Sequence, residues 1–146
     1  MTSAPIFVNG CHCRVCQRET GSAFAINAMI EADRIEMLTE TMPERYTVRA
    51  GTQPPTRGAR CPRCAVALWG THPDFGEAIL FVRGGTLDER VIPDAHFFTV
   101  TRHPLVTVPD DVQSFAGLPT AEDWPIWNVE VQARIDAAMA ARLPEA

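Results

Sequence analysis

Cys11-His12-Cys13-Arg14-Val15-Cys16-Gln17-Arg18-Glu19-Thr20-Gly21-Ser22-Ala23-Phe24 places three of the chain's five cysteines within six residues, at C-x-C-x-x-C spacing. A tight knuckle can aim Cys11 and Cys13 at one centre, and the x-x step returns Cys16 to the same point. Three thiolates converging this way form a soft, sulfur-rich site that suits zinc. A disulfide fits less well, because three sulfurs cannot pair among themselves. The other two cysteines make a second knuckle, Cys61-Pro62-Arg63-Cys64, a C-x-x-C with a proline inside.

Around the first knuckle the pattern is that of a mainly β protein. Pro5 to Asn9 reads as a short strand feeding the knuckle, with Gly10 at the bend. Arg14 to Thr20 reads as one or two helical turns closed by Gly21. Phe24 to Ile30 is nearly all apolar, which predicts a strand buried on both faces. Arg34 to Thr39 alternates loosely enough for a weak strand. Arg45 to Arg49 puts Tyr46 and Val48 on one strand face. Gly51 to Gly58, with Pro54-Pro55, reads as a loop or wide hairpin end.

Beyond the second knuckle, Ala65 to Trp69, the central Ala78 to Val82, and Ala95 to Thr101 read as strands, with a turn over Thr71 to Gly76. Val106 to Pro109 is a candidate edge strand, where proline is tolerated. From Thr120 the texture changes. Thr120-Ala-Glu-Asp123 resembles a capping box. Trp127, Val131, Ile135, Ala138 and Arg142 follow at three- and four-residue steps, so one amphipathic helix is expected over about 121–143. Trp124 and Trp127 are expected to pack it onto the sheet.

The 146 residues are expected to form a single domain, 1–146, large enough to bury roughly 68–70% of its unfolded surface. The net charge is −5, and all 13 basic residues are arginine. An acidic domain with scattered arginines is a poor nucleic-acid binder. Arginine near a site suits carboxylate ligands through its planar fork. No secretion signal or membrane-length apolar run is visible. Clustered thiols then point to a reducing compartment, and a cytoplasmic location is expected.

Spacing alone leaves two ligand sets open. Cys13, Cys16, Cys61 and Cys64 could close a four-cysteine ribbon, a structural site with Cys11 spare. Alternatively Cys11, Cys13 and Cys16 hold one zinc with a fourth position open, the general pattern of catalytic zinc, and Cys61 with Cys64 belong to a separate centre.

Cys-His-Cys-Arg-x-Cys-Gln-Arg-x-Thr-Gly-Ser-Ala-Phe resembles the signature of the glutathione-dependent formaldehyde-activating enzyme family, which includes centromere protein V. The likeness continues through Cys61-Pro-x-Cys64, Leu68-Trp69, Gly85-Thr86-Leu87-Asp88, Ala95-His96-Phe97-Phe98 and Pro109-Asp110-Asp111-Val112. It implies a β-tent fold with two zincs, the catalytic one on Cys11, Cys13 and Cys16 and the structural one on Cys61 and Cys64. The sequence departs from the family in one respect: the opening Cys-x-Cys strand that completes the structural site is not present in Met1 to Gly10. The orphan pair is then expected to be metal-free, disulfide-linked or completed by another chain. A homodimer covering the bared strand edge is expected on the same ground.

The resemblance also implies the chemistry. Glutathione or a similar thiol is joined to formaldehyde or another small aldehyde as an S-hydroxymethyl adduct, and the reverse is a carbon–sulfur lyase reaction. Three thiolates blunt zinc as a Lewis acid, so nearby positive groups are needed. Arg14 and Arg18 are the candidates and could meet a glutathione carboxylate; either could equally be a solvated helix face. Thr20, Gly21 and Ser22 read first as the turn closing the helix, with Ser22 a further candidate substrate contact. His12, between two ligands, is expected to point away from the metal. His96 reads as a core or edge histidine before an acid or base. The rival functions are a glutathione or aldehyde carrier without catalysis, and a structural zinc module for protein contacts.

Overall fold

Apolar runs of five to eight residues, broken by glycine and proline, build a sheet whose central strands are covered on both sides. The structure is a computed structural model describing residues 1–49, 54–123 and 125–141. Its strands are β1 (Phe7–Cys11), β2 (Ala25–Glu31), β3 (Glu44–Val48), β4 (Thr56–Arg60), β5 (Ala67–His72), β6 (Gly76–Arg83), β7 (Ala95–Phe97) and β8 (Gln113–Ser114). Its helices are α1 (Arg14–Thr20) and α2 (Val129–Ala140). All eight strands form one sheet in the order β3-β4-β5-β6-β2-β1-β7-β8. β7 runs parallel to both β1 and β8, and the other pairs are antiparallel.

Side chains alternate across a strand, so register sorts them into two faces. Val8, Ala28, Ile30, Leu80 and Val82 share one face and are buried together, under Ile35, Leu87 and Val91. Phe7, Met29 and Ile79 share the other, where Ile126, Trp127, Val131 and Ile135 from the α2 region pack on them. Phe7 meets Trp127 edge-on at 5.5 Å. Ile30 and Ile79 are 0% exposed, and full burial of such a side chain contributes about 2 kcal/mol. On the α2-bearing face the strand ends toward Cys11 carry polar residues, and α1 sits at that end. This end holds the site.

The mainly β class, the both-face burial of β2, the α1 turn with Gly21 in the left-handed region at φ 63°, and the C-terminal helix all agree with the sequence reading. Several boundaries do not. Arg34 to Thr39 is not a strand: a 3-10 turn over Ala32–Arg34 redirects the chain so that Ile35 packs beside Leu80. β2 has β6 and β1 on its two sides, so the segment after it cannot pair with β2. The stretch read as a loop to Gly58 contains the start of β4 at Thr56, and its residues 51–53 lie outside the described residues.

The strand read from Ala65 starts at Ala67, because Ala65 has φ 59° and closes the knuckle. The strand read as Ala95 to Thr101 stops at Phe97, where Phe98 turns left-handed at φ 58°. Val106 to Pro109 is not the edge strand. That place is taken by β8, whose Gln113 and Ser114 pair with Ala95 and His96. The helix expected over 121–143 begins only at Val129. Asp123 does accept bonds from the Thr120 amide (2.7 Å) and hydroxyl (2.9 Å), but these close a three-residue 3-10 turn. Asn128 is the cap of α2, its Oδ1 accepting from the Val131 amide at 2.9 Å. Trp124 and Arg142 lie outside the described residues.

Helix α2 is tied to the sheet by one forked ion pair. Arg134 Nε and Nη2 donate to the two oxygens of Glu31 at 2.7 and 2.6 Å. Burial alone would raise the Glu31 pKa, but the bonds and charge of Arg134 outweigh it and hold the group below its ordinary 4.5. A carboxylate with a depressed folded pKa contributes stability above the unfolded value and loses it as pH falls through the folded one. Arg134→Met is therefore expected to destabilise the protein at pH 7. Arg134 is 31% exposed, so screening keeps the loss to about 1–2 kcal/mol. Urea denaturation at pH 7 and pH 3 should show the gap between variant and parent shrinking at the lower pH. A constant gap would contradict the ion-pair account.

Candidate three-thiol centre

Cys11 ends β1, buried, with Ala25 of β2 and Phe97 of β7 as its register partners. The chain then leaves the sheet through His12, whose amide donates to the Phe97 carbonyl at 2.9 Å. The His12 carbonyl accepts from Gln17 Nε2 (2.6 Å) and from the Thr101 hydroxyl (2.9 Å). Gln17 Nε2 also donates to the Thr101 carbonyl at 2.9 Å. Those bonds clamp the knuckle between α1 and the turn after β7. Cys13 is the N-cap of α1, its sulfur accepting from the Cys16 amide at 3.3 Å. One helical turn then carries Cys16 back beside it.

The three sulfurs all lie within 4.8 Å of one another, the one such group of metal-binding side chains among the described residues. Tetrahedral zinc with bonds of about 2.3 Å sets neighbouring sulfurs about 3.8 Å apart. The donor set and its spacing fit that ion. The sulfurs also share protons unevenly. Hydrogen bonds from Cys11, then Cys16, push Cys13 far down. The same contacts, with burial, push Cys11 up. Cys16 is lowered by its bond with Cys11, yet Cys13 and burial outweigh this and leave it raised. Cys13 is thus the first of the three to ionise.

Cys61 and Cys64 stand apart. Their knuckle is closed by Cys61 N–H to the Val66 carbonyl (2.9 Å) and Ala65 N–H to the Cys61 carbonyl (2.8 Å). Amides of Arg63 and Cys64 donate to Cys61 and lower its pKa. No group among the described residues unites this pair with Cys13 and Cys16, so the closed four-cysteine ribbon is not assembled.

The other sequence candidates are less engaged. Arg14 is exposed, and its Nη1 donates to Gln17 Oε1 at 2.8 Å. Arg18 is exposed in the last turn of α1. Ser22 Oγ is held in the local turn by the Phe24 carbonyl and Thr20 Oγ1. His12 is 0% exposed, stacked on Phe24 at 4.9 Å, with Nε2 paired to His96 Nδ1 at 2.8 Å. Burial, then His96 and Arg102, lowers the His12 pKa to about 4, and burial lowers that of His96. At neutral pH both rings are uncharged and one donates to the other.

The sequence reading missed a polar row beside the cysteines. Asn9 of β1, Asn27 of β2 and Arg83 of β6 are direct register partners on the face that carries Cys11. Asn27 Nδ2 donates to Asn9 Oδ1 at 3.1 Å, and Arg83 Nη1 donates to Asn27 Oδ1 at 2.5 Å. The visible signal was a lone asparagine inside each of two apolar strands. Farther along, Tyr46 lies over Gly58 and donates to Glu19 Oε2 of α1 at 2.8 Å.

A sheet that holds three converging thiols against a short helix defines a mainly β protein with a centre able to take a metal ion. The chain belongs to the glutathione-dependent formaldehyde-activating enzyme family, which matches residues 1–101. That span contains all five cysteines and the Thr101 clamp. No curated protein matches the chain. Among the described residues no helix is long and apolar enough to cross a membrane.

Proposed function

We propose that this chain, taken as one unit over 1–146, is a zinc-dependent enzyme. It joins glutathione or a similar thiol to formaldehyde or another small aldehyde, and acts as a carbon–sulfur lyase in reverse. The observation that carries the reading is the approach of the Cys11, Cys13 and Cys16 sulfurs within 4.8 Å, in a chain whose family is named for this activation. Zinc held there would supply positive charge that favours thiolate over thiol. Cys11 is buried while Cys13 and Cys16 are partly exposed, so the site opens on their side and an incoming thiol approaches there. Gln17 and Thr101 hold the knuckle, and Tyr46 with Glu19 fixes α1 against the β3 edge. In the reaction the substrate sulfur loses its proton to solvent and bonds the aldehyde carbon. The carbonyl oxygen takes up a proton, giving the S-hydroxymethyl adduct.

In this reading Cys61 and Cys64 supply half of a structural zinc site, and a second copy of the chain is a source of the other two donors. The test is the rate of S-hydroxymethylglutathione formation, followed by NMR with zinc content measured in parallel. Acceleration over the uncatalysed rate that is lost with a chelator and restored by zinc is expected. Glutathione binding without acceleration would make the protein a carrier.

A further inference from the structure

Four arginines that lie on or against the sheet are paired with carboxylates. Arg45 and Arg57 share Glu77 at 2.7 and 2.8 Å, Arg60 grips Glu44 with two bonds, and Arg134 grips Glu31. Arg83 is different. It is half-buried at the end of β6, and among the described residues its one side-chain hydrogen bond goes to a neutral partner, Asn27. No carboxylate among the described residues lies within ion-pair distance of it, and its Nε is buried with no acceptor. A cation drawn out of water without an anion is costly, and that cost falls when an anion is supplied.

The surroundings say where an anion would come from. Asn9 and Asn27 orient the guanidinium on the face and rung next to Cys11. Asn9 stands two residues before Cys11 on the same face of β1, so the register runs from that strand end through Asn27 to Arg83. The nearby carboxylate, Glu19, is held by the Tyr46 hydroxyl. The side of Arg83 facing β5 meets Gly70, where even a Cβ would lie 3.5 Å from Nη2. Glycine puts no side chain of its own over that part of the fork. A planar fork of donors matches a carboxylate.

We propose that Arg83 is the specificity-determining residue of this site and receives a carboxylate of the thiol substrate, so that acidic thiols are chosen over neutral ones. This rests on the thiol reading given above. The test is calorimetric titration of the zinc-loaded protein with glutathione and with glutathione diethyl ester, which keeps the thiol and loses both carboxylate charges. Arg83→Gln should weaken glutathione binding about tenfold or more and change ester binding less than twofold. Arg83→Lys, which keeps charge but not the fork, should fall between, and it carries the test if the glutamine variant does not fold. Equal glutathione binding by parent and variants overturns the inference. So does an equal loss for both ligands, which would make Arg83 a support of the thiols. A parent protein that neither binds glutathione nor accelerates adduct formation removes the proposed function, and the inference falls with it.

Discussion

Cys13→Ser is expected to abolish zinc binding at the three-thiol centre and to return adduct formation to the uncatalysed rate. The loss should be at least about 100-fold, since even changes in the shell around metal ligands cost 10–100-fold. The fold should survive. Cys13 caps α1 by accepting from the Cys16 amide, and serine is a better cap than cysteine, so the helix keeps its start. The two apolar clusters on either side of the sheet contain neither Cys13 nor Cys16. A thermal midpoint within about 4 °C of the parent is therefore expected. Unchanged turnover would sink the enzyme reading, whereas global unfolding would show that the centre is structural.

Gly10→Ala should be a damaging substitution in the sheet despite adding only one methyl group. Gly10 is the register partner of His96 across the parallel β1–β7 pair. A Cβ at position 10 would lie 2.6 Å from His96 Nδ1 and 2.7 Å from Cε1. The ring cannot swing aside freely, because Nδ1 is bonded to the fully buried His12. Overpacking costs about 1–3 kcal/mol and the disrupted bond about 1 more. A loss of about 2–4 kcal/mol is expected in urea denaturation, with weaker zinc binding because Cys11 is the next residue. Combining it with His96→Ala should cost less than the sum of the two by more than about 1 kcal/mol. Strict additivity would show that the ring is not the obstacle.

The sequence alone determined what its local chemistry could carry. C-x-C-x-x-C spacing, Gly21 after a short helical run, and the apolar runs over Phe24 to Ile30 and Ala78 to Val82 are read within a few residues, so the thiol cluster, α1 and the central strands were legible. The separation of Cys61 and Cys64 from that cluster came from resemblance and not from spacing, which left the closed ribbon open. Tertiary structure decided the rest, because the partners are far apart in the chain. His12 and His96 meet across 84 positions, and Arg134 and Glu31 across 103. Arg34 to Thr39 has strand-like alternation, but the turn over Ala32–Arg34 carries it off the sheet and sets Ile35 against the core. The start of α2 was set by Asn128 and not by the capping sequence at Thr120, which closes a turn of its own. Arg83 illustrates the difference most directly. In sequence it is one arginine among 13, and only the register of β6 on β2 sets it beside Asn27 and the thiols with no carboxylate of its own.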